Sequence, residues 1–506
     1  MIPPMTPHVE RVDLSPGLSF SRVVTGLWQM ADMERDGRKI DLDRAAAAMQ
    51  PYVDAGLTAF DMADHYGPAE EVAGLFRSRA PQPRGQFFTK WVPKPGRVSK
   101  DEVRAAVDRA LMRLRVDAID LLQYHAWNYA DPSWLETLFD LQELKTRGLI
   151  RHLGLTNFDT AHLGVAVASG IEIASNQVSY SLLDQRAALG LGPFCKQHGV
   201  HLLAYGTLGG GWLTERWLGA PEPDWDRLST WSQMKYGRFL RVAGGWSALQ
   251  RVLQAAAAVA ARHGVSVANV ASRFILDRPG VAGVIIGARL GEREHIEDTL
   301  RLFSLALTDR DRHEIEAALD TLQPIPGDCG DEYRKPPFLT ASGDLSHHLD
   351  SMPAPYQTEA RGGGRTLCLS GTTWETLAGF ARAVRRGSHV SISGTTATMG
   401  DRVIGGSDPA AQAHFIIDKI DGALQSLGGT LADVTRTRIY LRNITDWEAV
   451  ARAHGTRFAA LQPANTLVGA ALVGDEYLVE IEAEADITRP SAKRTMTKTT
   501  RSLPPG

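Results

Sequence analysis

Between residues 23 and 302 the hydrophobic positions of the chain alternate between two spacings. Short β-branched or apolar runs predict buried strands: VVTGLWQ (23–29), AFDMAD (59–64), QFFTKW (86–91) and AIDLLQYH (118–125). They continue with IRHLGLTN (150–157), ASNQVSY (174–180), HLLAYGTL (201–208) and VAGVIIGA (281–288). Between them lie longer segments with apolar residues three or four apart. In SKDEVRAAVDRALMRLRV, Val103, Val107, Leu111 and Leu114 mark one helical face, and Ser99 with Glu102 forms a capping box ahead of it. Eight such units in succession predict an α/β fold, a (β/α)8 TIM barrel over residues 1–325.

One connection breaks the rhythm. Residues 209–249, after the seventh run, carry Trp212, Trp217, Trp225, Trp231 and Trp246. A loop of that length either packs its own aromatic core or walls the active face of the barrel. After Leu322, proline and glycine density marks an irregular linker over 326–365, in which His347 and His348 read as solvated side chains, not metal ligands. A second pattern occupies 366–487: strand-like HVSISGTTA, a helix striped by Ile416, Ile420 and Leu424, strand-like VTRTRIYLRN, another helix, and a last strand YLVEIEAEADI. It predicts a smaller α+β domain, followed by a basic, disordered tail over 488–506.

Composition narrows the function classes. Lys and Arg total 55 against 58 Asp and Glu, so no field favours nucleic acid or an anionic membrane. No apolar run approaches the roughly 20 residues that span a bilayer, and the first fifteen residues lack a signal peptide's apolar core. Cys195, Cys329 and Cys368 are too dispersed for a disulfide framework. A soluble, cytoplasmic protein without nucleic-acid or membrane partners is expected.

Reactive side chains in such barrels sit at the C-terminal ends of the strands. Asp61 falls in the second barrel strand, Tyr66 in the loop after it, Lys90 at the end of the third and His125 at the end of the fourth. Adjacent strand ends bring the four together. A free phenol, with a pKa of about 10, is a poor acid at neutral pH, and a neighbouring ammonium, itself held by a carboxylate, is expected to lower that value. With histidine available to bond a carbonyl oxygen, the set matches reduction of a small-molecule carbonyl with Tyr66 as proton donor.

The arrangement resembles the aldo-keto reductases. FDMADHYG, FFTKW and LLQYHAW stand where that family has its Asp, Tyr, Lys and His tetrad, and GLTNF, NQVSYSLL, AYGTLGGGWL and VIIGARLGEREHIEDTL extend the match over residues 15–325. The resemblance implies a nicotinamide cofactor, usually NADPH with NADH possible, and needs no Rossmann fingerprint. Carried over by motif, Thr156, Asn157 and Gln177 would bond the carboxamide, and Tyr205 would stack on the nicotinamide ring. Gly206 and the stretch from Leu208 to Gly210 would follow the pyrophosphate. Gly287 and Arg289 would lie near the adenosine phosphate, where a guanidinium suits a 2′-phosphate. His295, Asp298 and Thr299 replace the polar residues of the late Q-x-x-E-N pattern, which leaves the preference for NADPH over NADH open. Trp28, Trp91 and Trp127 flank the four reactive residues in sequence and predict an aromatic pocket for a bulky carbonyl compound.

Residues 366–487 resemble the reactive-intermediate deaminases (RidA/YjgF), small trimeric proteins of chorismate-mutase-like fold, through AGFARAVRRGSHVSISGTT, LGGTLADVTRTRIYL and QPANTLVGAALVGDEYLVEIEAEA. The pocket positions would be Phe380, Asn465 and Glu480. Glu480 matches the family's glutamate, but Asn465 replaces the arginine that grips a substrate carboxylate, and Phe380 stands where a tyrosine often lies. The resemblance implies a module for oligomerisation, into a homotrimer or a multiple of three, or for ligand binding. Two alternatives stay open: imine hydrolysis coupled to carbonyl reduction, or a nicotinamide-binding sensor.

Overall fold

The computed structural model describes residues 8–31, 34, 39–79, 85–292, 294–349 and 352–488. The expected tail lies outside them, apart from residue 488.

Two short strands, β1 (Arg11–Ser15) and β2 (Leu18–Ser21), form a hairpin. Eight parallel strands then close a barrel, one from each run named above. They are β3 (Val23–Gly26), β4 (Ala59–Asp61), β5 (Gln86–Trp91), β6 (Ile119–Tyr124), β7 (Ile150–Thr156), β8 (Ile173–Ser179), β9 (His201–Tyr205) and β10 (Val281–Gly287). Alternate residues face inward, so Val24, Ala59, Phe88, Leu121, Leu203 and Ala282 fill the interior. The hairpin closes the barrel floor with Leu14, Leu18 and Phe20, the last edge-on to Phe88 at 5.1 Å. With the floor plugged, polar residues at the opposite strand ends are left to line the mouth.

The connection at 209–249 does two things. Trp212 is fully buried, and the rings of Trp217, Trp225 and Trp246 lie 4.6, 5.6 and 5.9 Å from it, an aromatic core of the loop's own. On that core rests a helix, Trp231–Val242, whose Lys235 and Tyr236 reach the mouth.

Residues beyond the barrel differ from the irregular linker expected of them. Short helices at Asp331–Arg334 and Leu345–His348 pack against the barrel and bury Cys329, Glu332, Arg334, Leu339 and Leu345. His347 and His348 are both exposed, as expected, although His347 bonds Asp344 at 3.0 Å and the His348 ring lies 4.8 Å from that of Trp127.

The C-terminal domain is a seven-stranded sheet: β11 (Gln357–Arg361), β12 (Arg365–Leu369), β13 (Ala383–Arg386), β14 (His389–Thr396), β15 (Val434–Leu441), β16 (Ala464–Gly469) and β17 (Val479–Asp486). Its order is β11-β12-β13-β14-β17-β15-β16, and only β15 and β16 run parallel. Helix Pro409–Ser426 is buried nearly all round because it lies between this sheet and the barrel helix Thr160–Ala168. At Gly422 the approach is so close that a Cβ would stand 2.4 Å from the Ala130 carbonyl oxygen. His162 crosses the boundary: its Nδ1 lies 2.6 Å from Asp159 Oδ1 and its Nε2 2.9 Å from Asp418 Oδ2, while Arg457 donates to Asp418 Oδ1 at 2.6 Å. Among the described residues no helix is long and apolar enough to cross a membrane.

Candidate active site at the barrel mouth

In-register strand ends set the site: Asp61 lies beside Phe88, and Lys90 beside Gln123. Lys90 Nζ donates to Asp61 Oδ2 at 2.6 Å, and both residues are buried. Asp61 Oδ1 accepts from Gln123 Nε2 at 3.2 Å and Gln177 Nε2 at 2.7 Å, so the carboxylate is fully engaged. Burial pulls the Lys90 pKa down; Asp61 opposes that, and the balance stays below the usual lysine value.

Tyr66 joins the pair from the loop after β4, with Lys90 Nζ 4.8 Å from its ring centroid and the Trp28 ring edge-on at 5.0 Å. The expected lowering of its pKa is not found. Burial first, then the charge of Asp61 and the nearby Tyr333, hold the phenol well above 10. An ammonium already matched by a carboxylate at 2.6 Å offers little net field, while a dry setting penalises phenolate directly. The hydroxyl therefore keeps its proton.

His125 follows the end of β6, its backbone N–H donating to the Trp91 carbonyl at 3.2 Å. Its Nδ1 lies 3.4 Å from the Thr156 carbonyl oxygen, and its Nε2 is buried with no hydrogen-bond partner. Burial, then the Arg334 charge, hold it well below 6.5, so it is neutral. A protonated phenol, a neutral imidazole with an open nitrogen and an ammonium–carboxylate pair can deliver a proton to one oxygen atom.

Thr156, Asn157 and Gln177 meet at the rim. Thr156 Oγ1 donates to the Gln177 carbonyl at 3.2 Å, and Asn157, in the left-handed region at φ 60°, accepts from the Tyr205 hydroxyl at 2.7 Å. Gly206 is pressed against the Tyr236 ring and Gly210 against the Ser232 carbonyl; the Leu208 carbonyl accepts from Gly211 N at 2.9 Å. Farther out, Gly287 lies under the Gln29 side chain and Arg289 Nη2 stands 3.9 Å from Glu34 Oε2. Glu34 is itself held by the Trp28 indole N–H at 2.9 Å and the Ser232 hydroxyl at 2.8 Å. The remaining three residues turn into helix packing: His295 precedes helix Ile296–Arg301, Asp298 accepts from Ser266 and Asn269, and Thr299 is buried.

Of the three tryptophans, Trp28 and Trp127 reach the mouth, the latter with its ring 4.4 Å from that of His125. Trp91 does not. Strand alternation that points Phe88 and Lys90 inward points Trp91 outward, where it packs in the barrel–helix layer against Tyr124.

Five mouth residues were not anticipated. Gln123 shares the inward face with His125, and a period of two makes that readable in QYH. Lys235, Tyr236, Tyr333 and Arg334 come from segments read as loop and linker. Arg334 donates to the carbonyls of Ala126 at 2.8 Å and Asn157 at 2.6 Å, and Gly330 fits only because a Cβ there would lie 1.9 Å from the Asn157 oxygen. Lys235 Nζ donates to the Tyr333 hydroxyl at 2.7 Å.

In the C-terminal domain Asn465 lies apart from Glu480, while Phe380 and Glu480 both approach Arg382. Asn465 Nδ2 donates to Thr437 Oγ1 at 2.9 Å on the helix-covered face of the sheet. Glu480 pairs with Tyr440, three residues along β15 and so on the opposite face. Phe380 lies near Arg382, whose guanidinium carbon is 5.6 Å from its ring.

Comparison with known proteins agrees with this division. Residues 22–320 match the aldo/keto reductase family and residues 371–487 match endoribonuclease L-PSP. Protein tas of Escherichia coli is 31% identical over 242 residues, 44% of this chain and 67% of that protein. The structure of a glycerol dehydrogenase from Gluconobacter oxydans is 23% identical, covers 64% of this chain and 97% of its own, and has a TM-score of 0.51. A Mycobacterium tuberculosis member of the YjgF/YER057c/UK114 family is 40% identical, with 24% and 99% covered and a TM-score of 0.22.

Proposed function

The chain belongs to the aldo/keto reductase family and carries a RidA/YjgF domain after its barrel, and on that premise we propose that it reduces an aldehyde or ketone to an alcohol with Tyr66 as general acid. The observation that carries this reading is the proton-bearing Tyr66 phenol with the Lys90 ammonium 4.8 Å from its ring, at the same barrel mouth as neutral His125 with its open Nε2. The residues also suit a nicotinamide. A primary carboxamide needs one donor and one acceptor, and Asn157 Nδ2 and Gln177 Oε1 are without hydrogen-bond partners among the described residues. Those two would hold the carboxamide, and Arg289 a phosphate at the adenosine end. When bound, NADPH or NADH supplies the hydride.

Tyr66 then gives its proton to the developing alkoxide, whose negative charge the Lys90 ammonium stabilises from beside the ring. Asp61 keeps Lys90 charged despite burial, and Gln123 and Gln177 fix Asp61 in place. His125 orients the carbonyl oxygen, and Trp28 and Trp127 limit water beside it.

We read the C-terminal domain as an oligomerisation module that forms trimers through the sheet face opposite its helices. Separation of Asn465 and Glu480 onto two faces weighs against imine hydrolysis by a single chain. The buried free cysteines Cys195, Cys329 and Cys368 are compatible with a cytoplasmic setting.

The test is NADPH oxidation by purified protein over a panel of aliphatic, aromatic and sugar carbonyls, with Tyr66→Phe in parallel. Turnover that falls by about 100-fold or more in the variant supports the reading. Cofactor binding with no turnover on any carbonyl refutes it.

A further inference from the structure

Lys235 is the mouth cation that the proposed chemistry leaves unused. It projects from helix Trp231–Val242 into three phenol rings, with Nζ 4.7 Å from the Tyr205 centroid, 5.0 Å from Tyr333 and 5.3 Å from Tyr236. Its hydrogen bond is to the Tyr333 hydroxyl, and no carboxylate among the described residues lies within ion-pair distance. Glu332, the nearest candidate, is taken: its Oε2 accepts from Arg186 Nη1 at 2.9 Å. An ammonium has three donors, so Lys235 holds a full charge and spare N–H groups against an aromatic wall.

The wall faces the reacting centre. The Tyr333 ring stands 5.7 Å from the His125 ring, so Tyr333 separates the oxygen-binding corner from the ammonium. Steps of 5.0 and 5.7 Å through Tyr333 set an upper limit on the span from ammonium to imidazole, one that a para-substituted benzene ring with its hydrogen bonds can cover. Resting on the reading of this mouth as a reductase site, we propose that Lys235 binds an anionic group on the substrate, so that the preferred substrates are aromatic carbonyl compounds bearing a carboxylate remote from the carbonyl. A charge-assisted bond from an ammonium is about twice as strong as a neutral one, and the surrounding rings favour an aromatic body between the two polar ends.

The experiment compares 4-carboxybenzaldehyde with its methyl ester on the full chain, as kcat/KM with NADPH. Calorimetric binding of 4-carboxybenzyl alcohol and of NADPH is measured alongside. In the unmodified protein the acid is preferred by about tenfold or more. In Lys235→Met, which keeps the apolar stem, the acid-to-ester ratio falls close to one and alcohol binding weakens in step, with the NADPH Kd unmoved; Lys235→Arg restores part of the preference. Ester turned over as well as acid by the unmodified protein overturns the inference and leaves the reductase reading standing. Equal loss of NADPH and acid binding in Lys235→Met also overturns it, assigning the lysine to the cofactor. If neither aldehyde is turned over, the calorimetry decides the lysine: lysine-dependent binding of the acid alcohol upholds the inference and indifference overturns it, while the reductase reading itself fails only if no carbonyl of the wider panel is turned over.

Discussion

Replacing His162 by alanine tests the domain boundary most directly. The imidazole is buried, bonds Asp159 and Asp418 from its two nitrogens at 2.6 and 2.9 Å, and stacks on Tyr129 with centroids 3.5 Å apart. Removing one partner from a buried ionic cluster costs about 3–5 kcal/mol. Each carboxylate keeps one donor, since Arg457 stays on Asp418 and the backbone N–H of residue 162 stays on Asp159, which places the loss near the low end, about 3 kcal/mol. For a cooperative unit of domain size that is about 6–12 °C in melting temperature. Scanning calorimetry at pH 6 would measure it, with Asp418→Asn and the double variant completing a cycle. The pH dependence has a defined sign. Burial works against the imidazolium, but the two aspartates outweigh it and raise His162 above 6.5; its contribution is present below about 6.5 and fades as pH rises through the folded value. The aspartates are also pushed up by burial, yet His162 holds both below 3.8, so their contribution is present above about 3.8 and fades as pH falls. The boundary is most stable between those limits. A loss under about 1 kcal/mol, additive effects in the cycle, or a pH profile that His162→Ala leaves unchanged would refute the reasoning.

Three further outcomes are expected. Asp61→Asn leaves burial of Lys90 opposed only by the weaker fields of Asp64 and Glu70, so the ammonium titrates at lower pH and the alkaline limb of the kcat profile moves down by at least about one unit, read by steady-state kinetics. Glu34→Gln frees Arg289 from a carboxylate 3.9 Å away and strengthens NADPH relative to NADH, by about threefold or more in Kd from fluorescence titration. Gly330→Ala forces a Cβ onto the Asn157 carbonyl at a φ of +85° and displaces Tyr333 and Arg334; about 2 kcal/mol of stability is lost and KM rises more than kcat falls.

Much of this was legible because it rests on local periodicity. Eight short β-branched or apolar runs supplied the eight barrel strands, and the polar residues at their ends, Asp61, Lys90 and His125, meet at the mouth for that reason. The same rule assigns Trp91 to the outer layer, although closeness to Lys90 in sequence pointed the other way. What could not be read depends on the solvent around a group or on contacts far along the chain. Tyr66 is held up in pKa by burial that no tripeptide reveals. Proline and glycine density made 326–348 look unstructured, yet Arg334 finds its acceptors 208 and 177 residues away. Opposite orientations of Asn465 and Glu480 follow from register between strands, which a motif match does not contain.

The completion of the mouth by Tyr333 and Arg334 has a chronological consequence. During synthesis the last barrel strand, Val281–Gly287, emerges well before residue 334, so the barrel can close while its mouth still lacks the arginine that ties the strand ends of His125 and Asn157 together. Helix Thr160–Ala168 likewise waits for Asp418 to cover His162. Chain order therefore allows the barrel its shape before its reactive surface is complete, and the completing residues are supplied by chain lying outside the barrel itself.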